Sequence, residues 1–220
     1  MGEHVSDAPT LPDPPSPDEL RVVGVRNDEV RVIAPAQIWW RVHRTEGAHV
    51  LGWNEFRHYG PVLRFDPHPP PTAEHPDVAV WYGASTPGAA LAEAFQVDRT
   101  IDRRRGRPYL TGLSFTRALS VLDLAADSRG AWATRAGGTF AMSTAPHRVT
   151  QRWARAIVQA FPDLGGVRYN SRFAGDPCLA LFAPAREAMP RQPVASLALT
   201  HPALGNRLAG AAHRIGYRVI

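Results

Sequence analysis

An α+β fold is predicted by three observations on this chain of 220 residues. Short strand-like runs and helix-period segments follow one another in no regular strand–helix–strand order, which argues against a doubly wound parallel sheet. The length suits one domain plus a tail and is enough to bury a sizeable core. An apolar fraction of 44% is ordinary for a globular protein, and the chain contains no internal repeat.

Residues 1–24 hold Asp, Glu and Pro with few large apolar groups. They are expected to form a disordered acidic, Pro-rich tail, because so little burial cannot offset the entropy of ordering. Residues 25–220 are expected to be the single domain. From Arg31 the pattern turns apolar, and residues 38–42 have the composition of a strand. Residues 43–80 are rich in Pro, Gly and His, with a strand-like piece at 62–65. A loop of this length in a compact domain is usually functional or disordered, and here it is expected to help frame a ligand site. Thr86-Pro87 opens a helix, with Thr as cap and Pro in the first turn. That helix runs to about Gln96, placing Leu91 and Phe95 on one face and Glu93 to its side.

Residues 109–115 and 118–124 have strand composition, and their spacing permits a hairpin, although Thr116-Arg117 is a weak turn. A second helix covers about 147–161, with Trp153, Ile157 and Phe161 at four-residue spacing. It stops at Pro162 and Gly165-Gly166. Residues 167–170 and 178–182 are short strands, and a helix near 202–215 and a strand at 217–220 close the chain.

Composition excludes several classes of function. All 25 basic side chains are Arg, and the net charge of +5 permits an anionic partner without choosing one. The densest run, Arg103-Arg104-Arg105-Gly106-Arg107, has no interleaved aromatic and is expected to be a solvated loop rather than a nucleic-acid surface. A single cysteine, Cys178, allows no internal disulfide and suits a reducing cytoplasm. Its neighbours Pro177, Leu179, Ala180, Leu181 and Phe182 mark it as a buried strand residue rather than a reactive thiol. There is no secretory pattern and no apolar run of bilayer length, so a cytoplasmic protein without membrane contact is expected. No Gly-rich phosphate loop with Lys, HExxH, paired CxxC or G-x-S-x-G elbow occurs. The nine His lack ligand spacing, so no metal site is expected. Gly137-Gly138 follows no strand-like run, which leaves a Rossmann-type dinucleotide fold unsupported.

What remains is a set of polar residues in apolar settings: Arg41 after Ile38-Trp39-Trp40, Tyr82 in Trp81-Tyr82-Gly83-Ala84, Glu93 in Ala90-Leu91-Ala92-Glu93-Ala94-Phe95, and Ser171 in Tyr169-Asn170-Ser171-Arg172. A charge in such a run is costly to bury unless it is paired or used. An arginine, a glutamate and a serine arriving this way from distant segments point to one polar site.

Their order and surroundings resemble the RES-domain family, named for an Arg, a Glu and a Ser. The resemblance covers roughly residues 30–185. It includes Trp40-Arg41-Val42-His43, Arg64-Phe65-Asp66-Pro67, Tyr82-Gly83-Ala84 leading into Ala90-Leu91-Ala92-Glu93, and Val121-Leu122-Asp123-Leu124. Thr150-Gln151-Arg152-Trp153-Ala154 and Tyr169-Asn170-Ser171-Arg172 followed by Cys178-Leu179-Ala180-Leu181-Phe182 complete it. Each piece is weakly specific, and their joint order is more so. The stretch 43–61, rich in His and Trp, and the long span from Glu93 to Ser171 depart from the pattern and bear on substrate access.

The resemblance implies a compact α+β domain similar to the ADP-ribosyltransferase fold and an enzyme that degrades NAD, the toxin of a bacterial toxin–antitoxin pair. NAD would be substrate rather than cofactor, with water or inorganic phosphate as acceptor. It further implies an Xre-like antitoxin partner and a homodimer. Arg41, Glu93 and Ser171 take the three name-giving positions, and Arg64 and Tyr82 match further site positions. Cleaving the nicotinamide–ribose bond passes through an oxocarbenium-like state, as glycoside cleavage does. Glu93 would stabilise that charge or hold the ribose hydroxyls. The planar forks of Arg41 and Arg64 suit a pyrophosphate. Tyr82 would stack on or orient nicotinamide, and Ser171 would hydrogen-bond the ribose or the amide.

Residue type alone leaves plainer alternatives open. Glu93 can be a solvated helix side chain and Arg41 can stack on an aromatic or pair with a buried carboxylate. Arg64 can pair with Asp66 in a turn, Tyr82 can be core, and Ser171 an ordinary turn residue. Two other functions compete: transfer of ADP-ribose to a protein from the same pocket, and a non-catalytic interaction or nucleic-acid-binding module.

Overall fold

A computed structural model describes residues 11–220. Helix α1 (Pro17–Val23) leads to strands β1 (Val30–Ile33) and β2 (Ile38–Arg44). The short strands β3 (Tyr59–Gly60) and β4 (Ala73–Glu74) precede β5 (Val80–Ala84), α2 (Pro87–Ala94) and β6 (Thr100–Ile101). Next come β7 (Pro108–Ser114), β8 (Leu119–Asp123), α3 (Trp132–Arg135) and α4 (His147–Ala160). The chain continues through β9 (Gly166–Asn170), β10 (Pro177–Phe182), β11 (Ala195–Ala198), α5 (Gly205–Ile215) and β12 (Arg218–Val219).

Eight strands form one mixed sheet in the order β1-β8-β9-β10-β5-β2-β7-β11. Every neighbouring pair is antiparallel except β8 with β9. β3 with β4 and β6 with β12 make separate two-stranded ribbons. The α+β class read from the element order is the class observed.

Strand periodicity divides the core between the two sheet faces. On β10, Leu179 and Leu181 enter a cluster with Trp39, Trp81, Leu113 and Phe115. Cys178, Ala180 and Phe182 enter the opposite cluster, which also takes Leu91 from α2, Trp153 and Ile157 from α4, and Leu208 from α5. The helices therefore gather on one face. Gly83 in β5 admits the Trp81 indole, since a Cβ there would lie 2.2 Å from the ring.

Three expectations are corrected. The first concerns the tail: residues 1–10 lie outside the described residues, but residues 11–24 are ordered against α4. Ser16 and Glu19 form a reciprocal capping box at the start of α1, with bonds of 3.3 and 2.8 Å. Trp153 Nε1 donates to the Pro12 carbonyl at 2.8 Å, and Arg21 donates to the Gln159 carbonyl at 2.8 Å. Leu11 and Leu20 are buried in the core. Two well-placed leucines and a capped turn achieve what the average composition of the segment does not suggest. Replacing Leu20 with alanine is expected to destabilise the protein by about 2–4 kcal/mol, read as a fall in denaturation midpoint, as for a fully buried leucine.

The second correction is at 62–65, which form a turn rather than a strand. The amides of Val62 and Leu63 both donate to Asp66 Oδ2, at 2.5 and 2.9 Å. The third is the hairpin: β7 and β8 lie far apart in the sheet, β7 between β2 and β11, β8 between β1 and β9.

Candidate functional site

A cavity of about 200 Å³ opens between β2, β5 and α2, and Arg41, Arg64, Tyr82 and Glu93 all line it. The fifth expected residue, Ser171, stands behind Glu93. Each is delivered by a separate element whose local logic can be followed.

Glu93 lies in the last turn of α2. Thr86 caps that helix by accepting from the Ala89 amide at 3.1 Å, and Pro87 occupies its first turn. The same threonine donates to Asp176 Oδ2 at 2.9 Å, which ties the helix start to the chain entering β10. Ser171 Oγ donates to Glu93 Oε1 at 2.6 Å and accepts from the amides of Phe173 and Ala174 at 3.2 and 3.1 Å. One hydroxyl donor and both acceptor positions are thereby used. Ser171 is only 2% exposed and is not part of the cavity wall. The expected contact of Ser171 with substrate is therefore revised: this hydroxyl positions the carboxylate. Burial lifts the Glu93 pKa above the usual carboxylate value, against the Ser171 hydrogen bond and the charges of Arg64 and Arg172.

Arg41 projects from β2, where it lies opposite Thr111 of β7. Its Nη1 donates to the Glu55 carbonyl at 2.9 Å, and its guanidinium sits 5.6 Å from the Trp81 ring centroid. Burial, with help from Arg57 and against Glu55, brings its pKa down to about 10, so it remains a cation at neutral pH. It makes no ion pair among the described residues.

Arg64 is buried and also lacks an ion pair among the described residues; its Nη1 donates to the Ala145 carbonyl. The turn that carries it is anchored to α4. Thr150 Oγ1 donates to the Arg64 carbonyl at 2.6 Å, and Gln151 Nε2 to the Leu63 carbonyl at 3.0 Å. Burial first, and Arg172 second, lower the Arg64 pKa, while Tyr169 and Glu93 raise it. The alternative pairing of Arg64 with Asp66 is not made.

Asp66 instead serves as the hub of the site, and residue chemistry alone did not single it out. It is 0% exposed. Both of its oxygens accept from Arg57 Nη2, at 2.7 and 2.8 Å, and Oδ1 accepts from the Tyr82 hydroxyl at 2.8 Å. With the amides of Val62 and Leu63 it holds the whole turn. The Tyr82 hydroxyl also accepts from the Phe65 amide at 3.1 Å, so only the ring of Tyr82 is free to meet a ligand. Burial and the neighbouring Asp66 push the Tyr82 pKa well above its ordinary value. Arg57 is placed by a bridge to Val80 of β5. The sequence signal was the Arg64-Phe65-Asp66-Pro67 segment, in which the aspartate proves as important as the arginine.

His147, at the start of α4, also lines the cavity. Burial and then Arg64 lower its pKa, leaving a neutral imidazole at pH 7. Cys178 lies in the wall too; burial and then Glu93 push its thiol up, away from reactivity. No group of three His, Cys, Asp or Glu suited to a metal occurs among the described residues. The Arg103–Arg107 run is a turn: Asp102 Oδ1 accepts from the Arg104 and Arg105 amides at 2.9 and 3.0 Å, and Arg107 pairs with Glu46 at 3.0 Å. A larger groove of about 640 Å³ lies along the next face of α2, beside α5, and contains none of the five expected residues.

An α+β protein with a half-buried carboxylate sharing one cavity with two arginines that have no ion-pair partner among the described residues has the makings of a pocket for an anionic ligand. The family model described as RES domain matches residues 38–202, well over half of the chain, and the protein belongs to the RES-domain family. No curated protein sequence matches it. Among solved structures, a chain of the "Crystal structure of the M.tuberculosis MbcT-MbcA toxin-antitoxin complex" is similar in fold. The two share 20% identity with a TM-score of 0.57, over 88% of this chain and 96% of the other.

Proposed function

We propose that this protein is an NAD-degrading enzyme that cleaves the nicotinamide–ribose N-glycosidic bond. The observation that carries the reading is the geometry around Glu93: a half-buried carboxylate held by Ser171 at 2.6 Å, in one cavity with Arg41 and Arg64. A carboxylate of this kind stabilises an oxocarbenium-like centre, and two unpaired guanidinium groups meet the dianionic pyrophosphate. As the C1″–N bond breaks, its electron pair leaves with nicotinamide, which departs neutral and needs no acid. An acceptor then adds to C1″ and loses a proton: water yields ADP-ribose, inorganic phosphate its 1″-phosphate. In this reading Tyr82 offers its ring to nicotinamide, and Ser171 positions Glu93.

Membership in the RES family and the fold shared with a chain from a toxin–antitoxin complex support a toxin role. That role brings with it an Xre-like antitoxin, a homodimer and a cytoplasmic site of action. No helix among the described residues is long and apolar enough to cross a membrane.

The test is release of nicotinamide from NAD by the purified protein, with the adenine labelled and phosphate present or omitted. Nicotinamide release with all label remaining on small molecules supports the reading, and phosphate dependence names the acceptor. Label on a macromolecule would favour protein modification. No release from folded protein would end the proposal. A second expectation concerns pH. Cleavage needs ionised Glu93, so kcat/KM should rise with pH through a midpoint above 4.5, the ordinary value. Ser171→Ala removes the hydrogen bond that opposes this shift, and should move the acid limb to higher pH. A limb that stays in place would deny Ser171 its positioning role.

A further inference from the structure

A second cleft, of about 250 Å³, adjoins the candidate cavity and shares Arg41, Val42 and Ala94 with it. The remaining polar wall is His43, Arg44 and His49, with no acidic residue. Two acids close by in the chain are occupied elsewhere: Glu46 pairs with Arg107 at 3.0 Å, and Glu55 accepts from the Gly52 amide at 2.7 Å.

Arg44 and His49 are exposed, yet each rests on a neighbour. The stem of Arg44 lies on Gly106, where a Cβ would come within 2.7 Å of Arg44 Cδ; φ is +76° there, which also favours glycine. The Arg44 guanidinium has no hydrogen bond or ion pair among the described residues. His49 stacks on Tyr59, with centroids 6.2 Å apart and planes at 10°. His43 Nε2 lies 3.0 Å from Thr111 Oγ1, which lies 2.7 Å from Ser196 Oγ, and its Nδ1 is without a partner. Burial and Arg41 lower the His43 pKa to about 4, so its ring is a neutral imidazole, with Nε2 engaged by Thr111 and Nδ1 buried.

Size and order along the cleft say what this surface faces. Small-molecule sites usually occupy about 300–1,000 Å³, so the first cavity alone is small for a dinucleotide, whereas the two together fall in that range. Glu93 lines only the first and Arg41 lines both. With the reacting ribose at Glu93 and the pyrophosphate at Arg41, the adenosine half extends into the second cleft. Adenosine itself is neutral, yet the walls offer the unpaired Arg44 guanidinium, the His49 imidazole and no carboxylate. That is the complement of a phosphate ester.

We propose that this cleft is a phosphate subsite, and that it accepts a dinucleotide carrying an additional 2′-phosphate on the adenosine ribose. The inference rests on the cleavage reading for the location of the reacting bond, but its binding test does not depend on catalysis.

The experiment compares NADP with NAD as substrates, and adenosine 2′,5′-bisphosphate with 5′-AMP as calorimetric ligands, on the full chain and on Arg44→Ala and Arg44→Glu. The wild type should bind the bisphosphate about tenfold more tightly than 5′-AMP, the size of one charge-assisted hydrogen bond. Arg44→Ala should abolish that preference and lower the NADP:NAD ratio of kcat/KM by about the same factor, with a larger fall in Arg44→Glu. Equal affinity for the two ligands, or a preference that survives Arg44→Glu, would overturn the proposal. So would Arg44-dependent acceleration by inorganic phosphate without a preference for NADP, which would give the cleft to a free phosphate instead. An Arg44-dependent bisphosphate preference in a protein that cleaves neither dinucleotide would retain the subsite and reject the reaction. Cleavage of NAD without the preference would do the reverse.

Discussion

Glu93→Gln is expected to lower the rate of nicotinamide release by about 100- to 1,000-fold while leaving the protein folded, the scale seen when one preorganised electrostatic group is removed. The substitution keeps the shape of the side chain and an oxygen that can accept from Ser171 Oγ, so it deletes charge and little else. Its effect on stability separates a functional carboxylate from a structural one. The Glu93 pKa is raised in the folded state, chiefly by burial, and a raised carboxylate disfavours the folded form once it ionises. At pH 7 the wild type bears that penalty. Below the unfolded pKa of about 4.3 both states are protonated and the penalty is gone. The variant should therefore unfold at an equal or higher temperature than wild type at pH 7, with the advantage fading towards pH 4. Nicotinamide release measured beside melting curves at the two pH values decides the matter. Wild-type turnover would remove Glu93 from the chemistry, and lost turnover accompanied by a large fall in melting temperature would make it a structural residue.

Asp66→Asn should produce the largest loss of stability among the site substitutions. The buried carboxylate accepts from Arg57, the Tyr82 hydroxyl and two backbone amides at once. Removing one member of a buried ion pair leaves its partner uncompensated and costs about 3–5 kcal/mol. For a domain of this size that corresponds to a fall of about 6–20 °C in melting temperature. Because Asp66 also sets the turn bearing Arg64, KM should rise along with the loss of stability. A double substitution tests the cause: Arg57→Met removes the stranded cation and should recover part of the stability of Asp66→Asn, while leaving KM high. Additive losses in this cycle, or a single-variant loss below about 1 kcal/mol, would show that the pair is not the hub described.

Local pattern made several elements legible. Apolar strand-like runs marked β2 and β10, the Thr86-Pro87 signal marked α2, and four-residue spacing marked α4. The Ser16-Pro17-Asp18-Glu19 capping box was equally present in the sequence, but the low apolar content around it concealed a helix whose stability comes from docking Leu20 on the core. The edge strands β1 and β11 were missed because they are short and half exposed, so their alternation is weak. The hairpin that spacing permitted between β7 and β8 is not formed for a different reason: adjacency in the chain does not determine adjacency in a sheet of eight strands.

The site divides in the same way. An arginine, a tyrosine and a glutamate embedded in apolar segments were visible as charges and hydroxyls in costly positions, and with Arg64 they do line one cavity. Their division of labour was not visible. Whether Ser171 faces a ligand or stands behind Glu93 depends on where its single hydroxyl proton goes, and that is decided by a contact across 78 residues of chain. Whether Arg64 pairs with Asp66 depends on the fold of a Pro- and His-rich loop that has no periodicity to read, and there Arg57 takes the carboxylate. By itself, the sequence determined the central strands β2 and β10, the helices α2 and α4, and which polar residues must be paired or used, because propensity and burial cost are properties of residues. Only the tertiary structure decided which partner each polar group finds, because hydrogen bonds at about 3 Å depend on geometry that segments distant in the chain create together.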